Sequence, residues 1–154
     1  KGRLMGHTYT QLYYHCVFST SRRRPLLRTP HRQRIHAYMG GIMRKPPGMA
    51  ITIGGADDHV HILCSLHQDA AVSAAMREVK AKTTAWIHNE FPTLGDFAWQ
   101  QGYGAFTVSR SNLDQVANYI REQQAHHRKM TFEEEFIHFL RRHDVAYDPR
   151  YVFD

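Results

Sequence analysis

The order in which hydrophobic period switches along the chain restricts the fold more than any other feature. Gln11 to Thr20, QLYYHCVFST, is rich in aromatic and β-branched residues and apolar on both alternating sets. That predicts a central strand covered on both faces. After Thr29-Pro30, Ile35, Tyr38, Met39, Ile42 and Met43 repeat at helical spacing, with Thr29 as the expected cap and Pro30 at the first helical position. A short strand over Met49 to Ile53 stops at Gly54-Gly55, and another runs from His59 to Leu66 after a turn short enough for a hairpin. Asp69 is placed to cap a second helix carrying Val72, Ala75, Met76, Val79, Thr83, Trp86 and Ile87. Tyr103 to Ser109 predicts a fourth strand. Ser111 is the expected cap of a third helix, and Thr131 with Glu134 forms a capping-box pattern for a last one bearing Phe136, Phe139 and Leu140.

The order is therefore β-α-β-β-α-β followed by two helices. It predicts an α+β chain with a ferredoxin-like (RRM-like) antiparallel sheet and two helices on one face. The second face stays open unless the third helix covers it. Residues 8–154 are expected to form one domain, and residues 1–7 are set aside as non-native or disordered. No apolar run approaches the ~20 residues of a transmembrane helix, and the first residues lack the apolar stretch of a signal peptide. The two cysteines, Cys16 and Cys64, sit in apolar segments. Two are too few for a disulfide framework, which fits a reducing cytoplasm and excludes a cysteine-cluster metal site. A formal charge of +6 favours a polyanionic partner such as nucleic acid.

DDHVHIL, Asp57 to Leu63, carries the first chemical signal. Residues two apart in a strand share a face, so His59 and His61 point one way while Val60 and Ile62 point into the core. Two neutral imidazoles side by side make half of a divalent-metal site. Asp57 and Asp58 are placed to orient a ring or add a carboxylate. In the third helix, Leu113, Val116, Ala117 and Ile120 form a buried stripe. Tyr119 sits at its edge, Gln123 follows one turn later, and His126 and His127 continue that side.

HVH at 59 to 61, YIREQ at 119 to 123, the basic strand exit STSRRRP at 19 to 25 and the tract from Trp99 to Phe136 together carry a resemblance. The chain resembles the single-tyrosine HUH transposases of the small insertion-sequence and REP-associated kind, over nearly its whole length. The resemblance implies that Tyr119 is the nucleophile on a DNA phosphodiester. It also implies that His59, His61 and Gln123 hold a divalent ion, magnesium or manganese. Glu122 or His127, within a helical turn, could replace Gln123. It further implies single-stranded DNA with a hairpin as substrate, and a homodimer. DNA contacts are expected from Arg22, Arg23, Arg24, Lys80, Lys82, Arg128 and Lys129, with Arg141 and Arg142 as further candidates. Two other readings fit the same residues: a metal-dependent phosphodiesterase that uses water, and a non-catalytic nucleic-acid-binding module.

Overall fold

A computed structural model describes residues 7–44, 48–126 and 129–153, apart from the side chains of Gly48, Gln124 and His126. Four strands, β1 (Tyr13–Ser19), β2 (Gly48–Gly55), β3 (His59–Leu66) and β4 (Gly104–Val108), make one antiparallel sheet in the order β2-β3-β1-β4. The central position of β1 follows from its two apolar faces. α1 (His31–Met43) and α2 (Val72–Glu90) pack on one side of the sheet. Cys16 and Phe18 of β1, Val60, Ile62 and Cys64 of β3, and Ile35, Met39, Met76, Val79 and Ile87 of the helices form the larger core there. This is the ferredoxin-like arrangement that the order of periods predicts.

The second face is covered as well. α3 (Leu113–Arg121) lays Ala117 and Ile120 against Leu63 of β3. α5 (Phe132–Arg142) lays Phe132, Phe136, Phe139 and Leu140 against Val17 and Phe106. The apolar stripe of α3 is thus covered by its own chain at Ala117 and Ile120, with Leu113 and Val116 partly buried. α3 comes in close because β2 has no side chain where they meet: a Cβ on Gly54 would lie 2.4 Å from the carbonyl oxygen of Ile120.

Helix starts differ from the sequence expectation in three places. Thr29 does not cap α1. That helix begins at His31 behind a cis Thr29-Pro30 peptide, and buried Arg32 ties its first turn to the carbonyl of Leu27, with Nε donating at 2.7 Å, and to the carboxylate of Asp57. Asp69 is spent in a turn, where its N–H donates to His67 Nδ1 at 3.2 Å, and Ala71 precedes α2 instead. Ser111 falls inside a 3₁₀ turn, Arg110–Asn112, that delays α3 to Leu113. The cap on α5 forms as expected, with Glu134 N–H donating to Thr131 Oγ1 at 3.2 Å.

Candidate active site

β3 delivers His59 and His61 to the face that α3 and α5 cover, and both are fully buried. α3 ends at Arg121, Glu122 breaks the helix, and a short α4 (Gln123–His126) starts directly after it. The break does not separate the expected pair. Tyr119 and Gln123 both reach the carboxylate of Glu135, on the first turns of α5.

Glu135 is the centre of the cluster and the residue that sequence reasoning missed. It is 1% exposed. His61 Nε2 lies 2.9 Å from its Oε1, and Gln123 Nε2 donates to its Oε2 at 3.1 Å. The Tyr119 hydroxyl donates to the same Oε2. His59 Nε2 stands 3.6 Å from Oε1 and 3.0 Å from the carbonyl oxygen of Gln123. A signal for Glu135 did exist in the sequence. Phe132, Phe136, Phe139 and Leu140 define a buried stripe, and Glu135, three residues after Phe132, falls on it. The run Glu133-Glu134-Glu135 hid it, because acids in the first turn of a helix are ordinary dipole partners.

Both histidines are oriented from behind. His59 Nδ1 lies 2.7 Å from Asp58 Oδ1, which fixes the Nδ1–H tautomer and turns the Nε2 lone pair inward. His61 Nδ1 lies 2.7 Å from His15 Nε2, a residue on the same sheet face of β1. Burial, and then the neighbouring His61, holds the pKa of His15 well below the usual imidazole value. A neutral His15 can therefore accept the proton of His61 Nδ1. Burial, and then the hydrogen bond to Glu135, pushes the Tyr119 phenol above its ordinary pKa, while its bond to Gln123 acts the other way.

The donor set fits a divalent ion. Ligand atoms of His59, His61 and Glu135 all lie within 4.8 Å of one another, and the Gln123 carbonyl oxygen stands beside them. Mixed imidazole nitrogen and oxygen ligands suit manganese, zinc or magnesium-like ions rather than soft metals. Glu122, an alternative to Gln123 by spacing, is exposed at the helix break. His127, the other alternative, and Arg128 lie outside the described residues.

The expected DNA-binding residues scatter. Arg22 and Arg23 follow β1 with left-handed backbones, φ 55 and φ 56. Arg23 pairs with Glu133 at 2.5 Å and stacks over Phe153, pinning this turn to α5. Arg24 pairs with Asp96 at 2.9 Å. Lys80 and Lys82 are on α2, across the sheet from the cluster. Lys80 donates to the carbonyls of Gln100 at 2.9 Å and Gly102 at 2.6 Å, and burial lowers its pKa to about 8. Lys82 pairs with Glu78 one turn away. Lys129 is exposed.

Residues 8–123 match the family described as "Transposase IS200 like". The chain is similar to the transposase for insertion sequence element IS200 of Salmonella typhimurium, 24% identical over 125 residues, covering 77% of this chain and 81% of the relative. The Salmonella typhi transposase of the same element matches to the same extent. Among solved structures, a protein of Deinococcus radiodurans R1 provisionally named a transposase superposes with a TM-score of 0.63. It is 23% identical, and the match covers 80% of this chain and 96% of that one. A REP-associated tyrosine transposase bound to a REP hairpin gives a TM-score of 0.60 at 18% identity, covering 96% of this chain and 93% of that one. Glu135 and the rest of α5 lie beyond the residues matched by the family.

Proposed function

This chain belongs to the IS200-like transposase family, and from that premise we propose that it cleaves and rejoins single-stranded DNA at hairpin-flanked sites through a covalent phosphotyrosine on Tyr119. The observation that carries the reading is the convergence of a tyrosine hydroxyl, two oriented imidazoles, an amide oxygen and a buried carboxylate around one point. A structural core would place such a set of polar groups together only at considerable cost in desolvation.

In this reading His59 Nε2, His61 Nε2, the Gln123 carbonyl oxygen and Glu135 hold a divalent ion, magnesium or manganese. When bound there, such an ion polarises a non-bridging phosphate oxygen and offsets charge in the transition state. The chain's own residues do the rest. Glu135 accepts the phenol proton as Tyr119 Oη attacks phosphorus, which relieves the weakness of a neutral phenol as a nucleophile. The new Oη–P bond forms as the bond from phosphorus to the 3′ oxygen breaks, and that oxygen takes a proton from solvent water, leaving a 5′-phosphotyrosine and a 3′-hydroxyl. A 3′-hydroxyl, from this strand or another, then gives its proton to solvent as it attacks the same phosphorus, and Tyr119 leaves, taking its own proton back from Glu135. Phosphodiester energy is kept in the covalent intermediate, so rejoining needs no nucleotide hydrolysis.

The proposal includes a single functional domain over residues 8–154 and a cytoplasmic location, in keeping with two free buried thiols. No helix among the described residues is long and apolar enough to cross a membrane. A homodimer remains part of the proposal on the family's account alone, because the stripe of α3 is covered within one chain.

The test is Tyr119→Phe with end-labelled hairpin DNA drawn from the flanks of its own gene. The ring stays and only the hydroxyl goes. Binding is expected to persist and the covalent adduct to disappear. Cleavage by the phenylalanine variant would favour the water-using phosphodiesterase, and an adduct mapped to another tyrosine would overturn the assignment.

A further inference from the structure

A cleft of about 200 Å³ opens to solvent beside the cluster, between the edge strand β4, the first turns of α3 and the last turns of α5. Tyr119 and His15 line it. The same two residues bond inward to Glu135 and His61, so they are the wall between the cleft and the buried donors. Its apolar floor is a pair of rings, Phe106 and Phe139, stacked with centroids 5.7 Å apart and an interplanar angle of 26°. Exposed His143 stacks on Phe106 at 4.5 Å and carries the aromatic surface outward.

The rim is different. Asn112 in the 3₁₀ turn before α3, Gln115 on α3 and Arg142 on α5 are exposed, and their side chains have no hydrogen bond or ion pair with a described residue. Each amide offers a donor and an acceptor, and the guanidinium offers donors and a charge. Phe106 and Phe139 are themselves only 4% and 8% exposed, so the face open to a ligand is that of exposed His143 stacked on Phe106, and such a face with uncommitted amide edges beside it is the chemistry that takes up an unpaired base. Stacking supplies affinity for any base, and edge hydrogen bonds supply preference among them. A volume of about 200 Å³ has room for one base.

We propose that this cleft binds one unpaired nucleobase of single-stranded DNA, that of a nucleotide flanking the phosphate attacked by Tyr119. The inference rests on the cleavage reading for its geometry. A phosphodiester in contact with Tyr119 Oη brings the base of its own nucleotide to the wall that this side chain forms. The cleft is also the solvent-open side of a residue whose other neighbours are buried, which makes it the approach for the strand. Arg142 at the rim then faces the backbone of that nucleotide.

The experiment is a binding titration of the full chain in EDTA, read by fluorescence anisotropy. The probe is a hairpin oligonucleotide with single-stranded extensions on both sides, in which one extension nucleotide at a time is replaced by an abasic residue. One position is expected to weaken binding roughly five- to hundredfold, the scale of losing one stacked base. The doubly substituted Asn112→Ala/Gln115→Ala chain should bind the intact probe more weakly. It should lose nothing further on the probe that is abasic at that position. Losses of less than twofold at every abasic position would overturn the proposal, and so would losses that multiply fully with the double substitution. Because both substituted residues are exposed, their folding can be checked by an unchanged melting curve, and the abasic scan on the unaltered chain stands without them. A parallel adduct assay with manganese separates the two readings. Base-sensitive binding without any adduct would keep the cleft and overturn cleavage, while adducts without a base-sensitive position would do the reverse.

Discussion

Glu135 shows what a single buried charge does to a site. A carboxylate taken out of water is stable only when its oxygens are occupied, and here the Tyr119 hydroxyl and the Gln123 amide both donate to Oε2, while Oε1 faces His61 Nε2 at 2.9 Å. Without an ion, the negative charge stands among neutral groups; with one, it neutralises part of the cation. Glu135→Gln separates these two situations, since it keeps the shape and removes the charge. The metal-free protein is expected to melt at the same temperature or higher, while manganese affinity falls roughly ten- to hundredfold. Calorimetric titration alongside thermal melts reads both quantities. Unchanged manganese affinity would remove Glu135 from the ligand set and leave it as a hydrogen-bond partner of Tyr119.

At the level of elements, the sheet order was readable because period two and period 3.6 alternate without ambiguity, and β1 advertised its central place through two apolar faces. Strand parity put His59 beside His61, and helix spacing put Tyr119 near Gln123; that the two pairs meet came from the resemblance alone, because neither period says which helix packs over which strand. Helix starts were not readable: α1 starts after Pro30 and α2 after Ala71 without a side-chain cap, the Asp69 carboxylate lies 3.4 Å from His67 Nδ1, and Ser111 Oγ bonds Ser109 Oγ. Nor was the role of α5, since nothing local tells a buried glutamate from a dipole partner until the helix is docked. The approach of α3 to β2 depends on Gly54, where an added Cβ meets backbone rather than a movable side-chain end. Gly54→Ala must therefore push away the last turn of α3, the turn that holds Tyr119 and leads into Gln123. We expect a chain that still folds, destabilised by about 1–3 kcal/mol as for other overpacked sites, with adduct formation reduced far more than DNA binding. Denaturant unfolding and the adduct assay together check this, and full activity in the alanine variant would show that the helix end is slack.

Over the whole molecule, charge acts in two ways, one on DNA and one on stability. Most of the expected DNA-binding cations have intramolecular duties: Arg23 and Arg24 in ion pairs, Lys80 on loop carbonyls. Arg22, exposed in the same turn, is the better candidate for a phosphate. Arg22→Ala should flatten the salt dependence of binding by about 0.7 in log–log slope for one single-strand contact, whereas Lys80→Ala should lower stability and leave the slope alone; affinity titrations across salt concentrations decide between them. The effect of pH follows from two histidines on opposite faces of the sheet. His15 lies well below its ordinary pKa, through burial and then His61, and His36 is lowered to about 4, through burial and then the Arg32 charge. In the unfolded chain both titrate near 6.5. Between the folded and unfolded values the unfolded state binds more protons, so stability rises with pH across that window. It is complete above about 6.5 and is lost as pH falls toward 4, by up to about 1.4 kcal/mol per pH unit for each histidine. Urea unfolding of the chelator-treated protein should therefore give the same midpoint at pH 7 and pH 8, and a steadily lower one from pH 6.5 to pH 5. His36→Gln, which cannot charge, should remove part of that slope while leaving the plateau in place. A midpoint that does not move between pH 7 and pH 5 would mean that neither imidazole is held neutral by the fold.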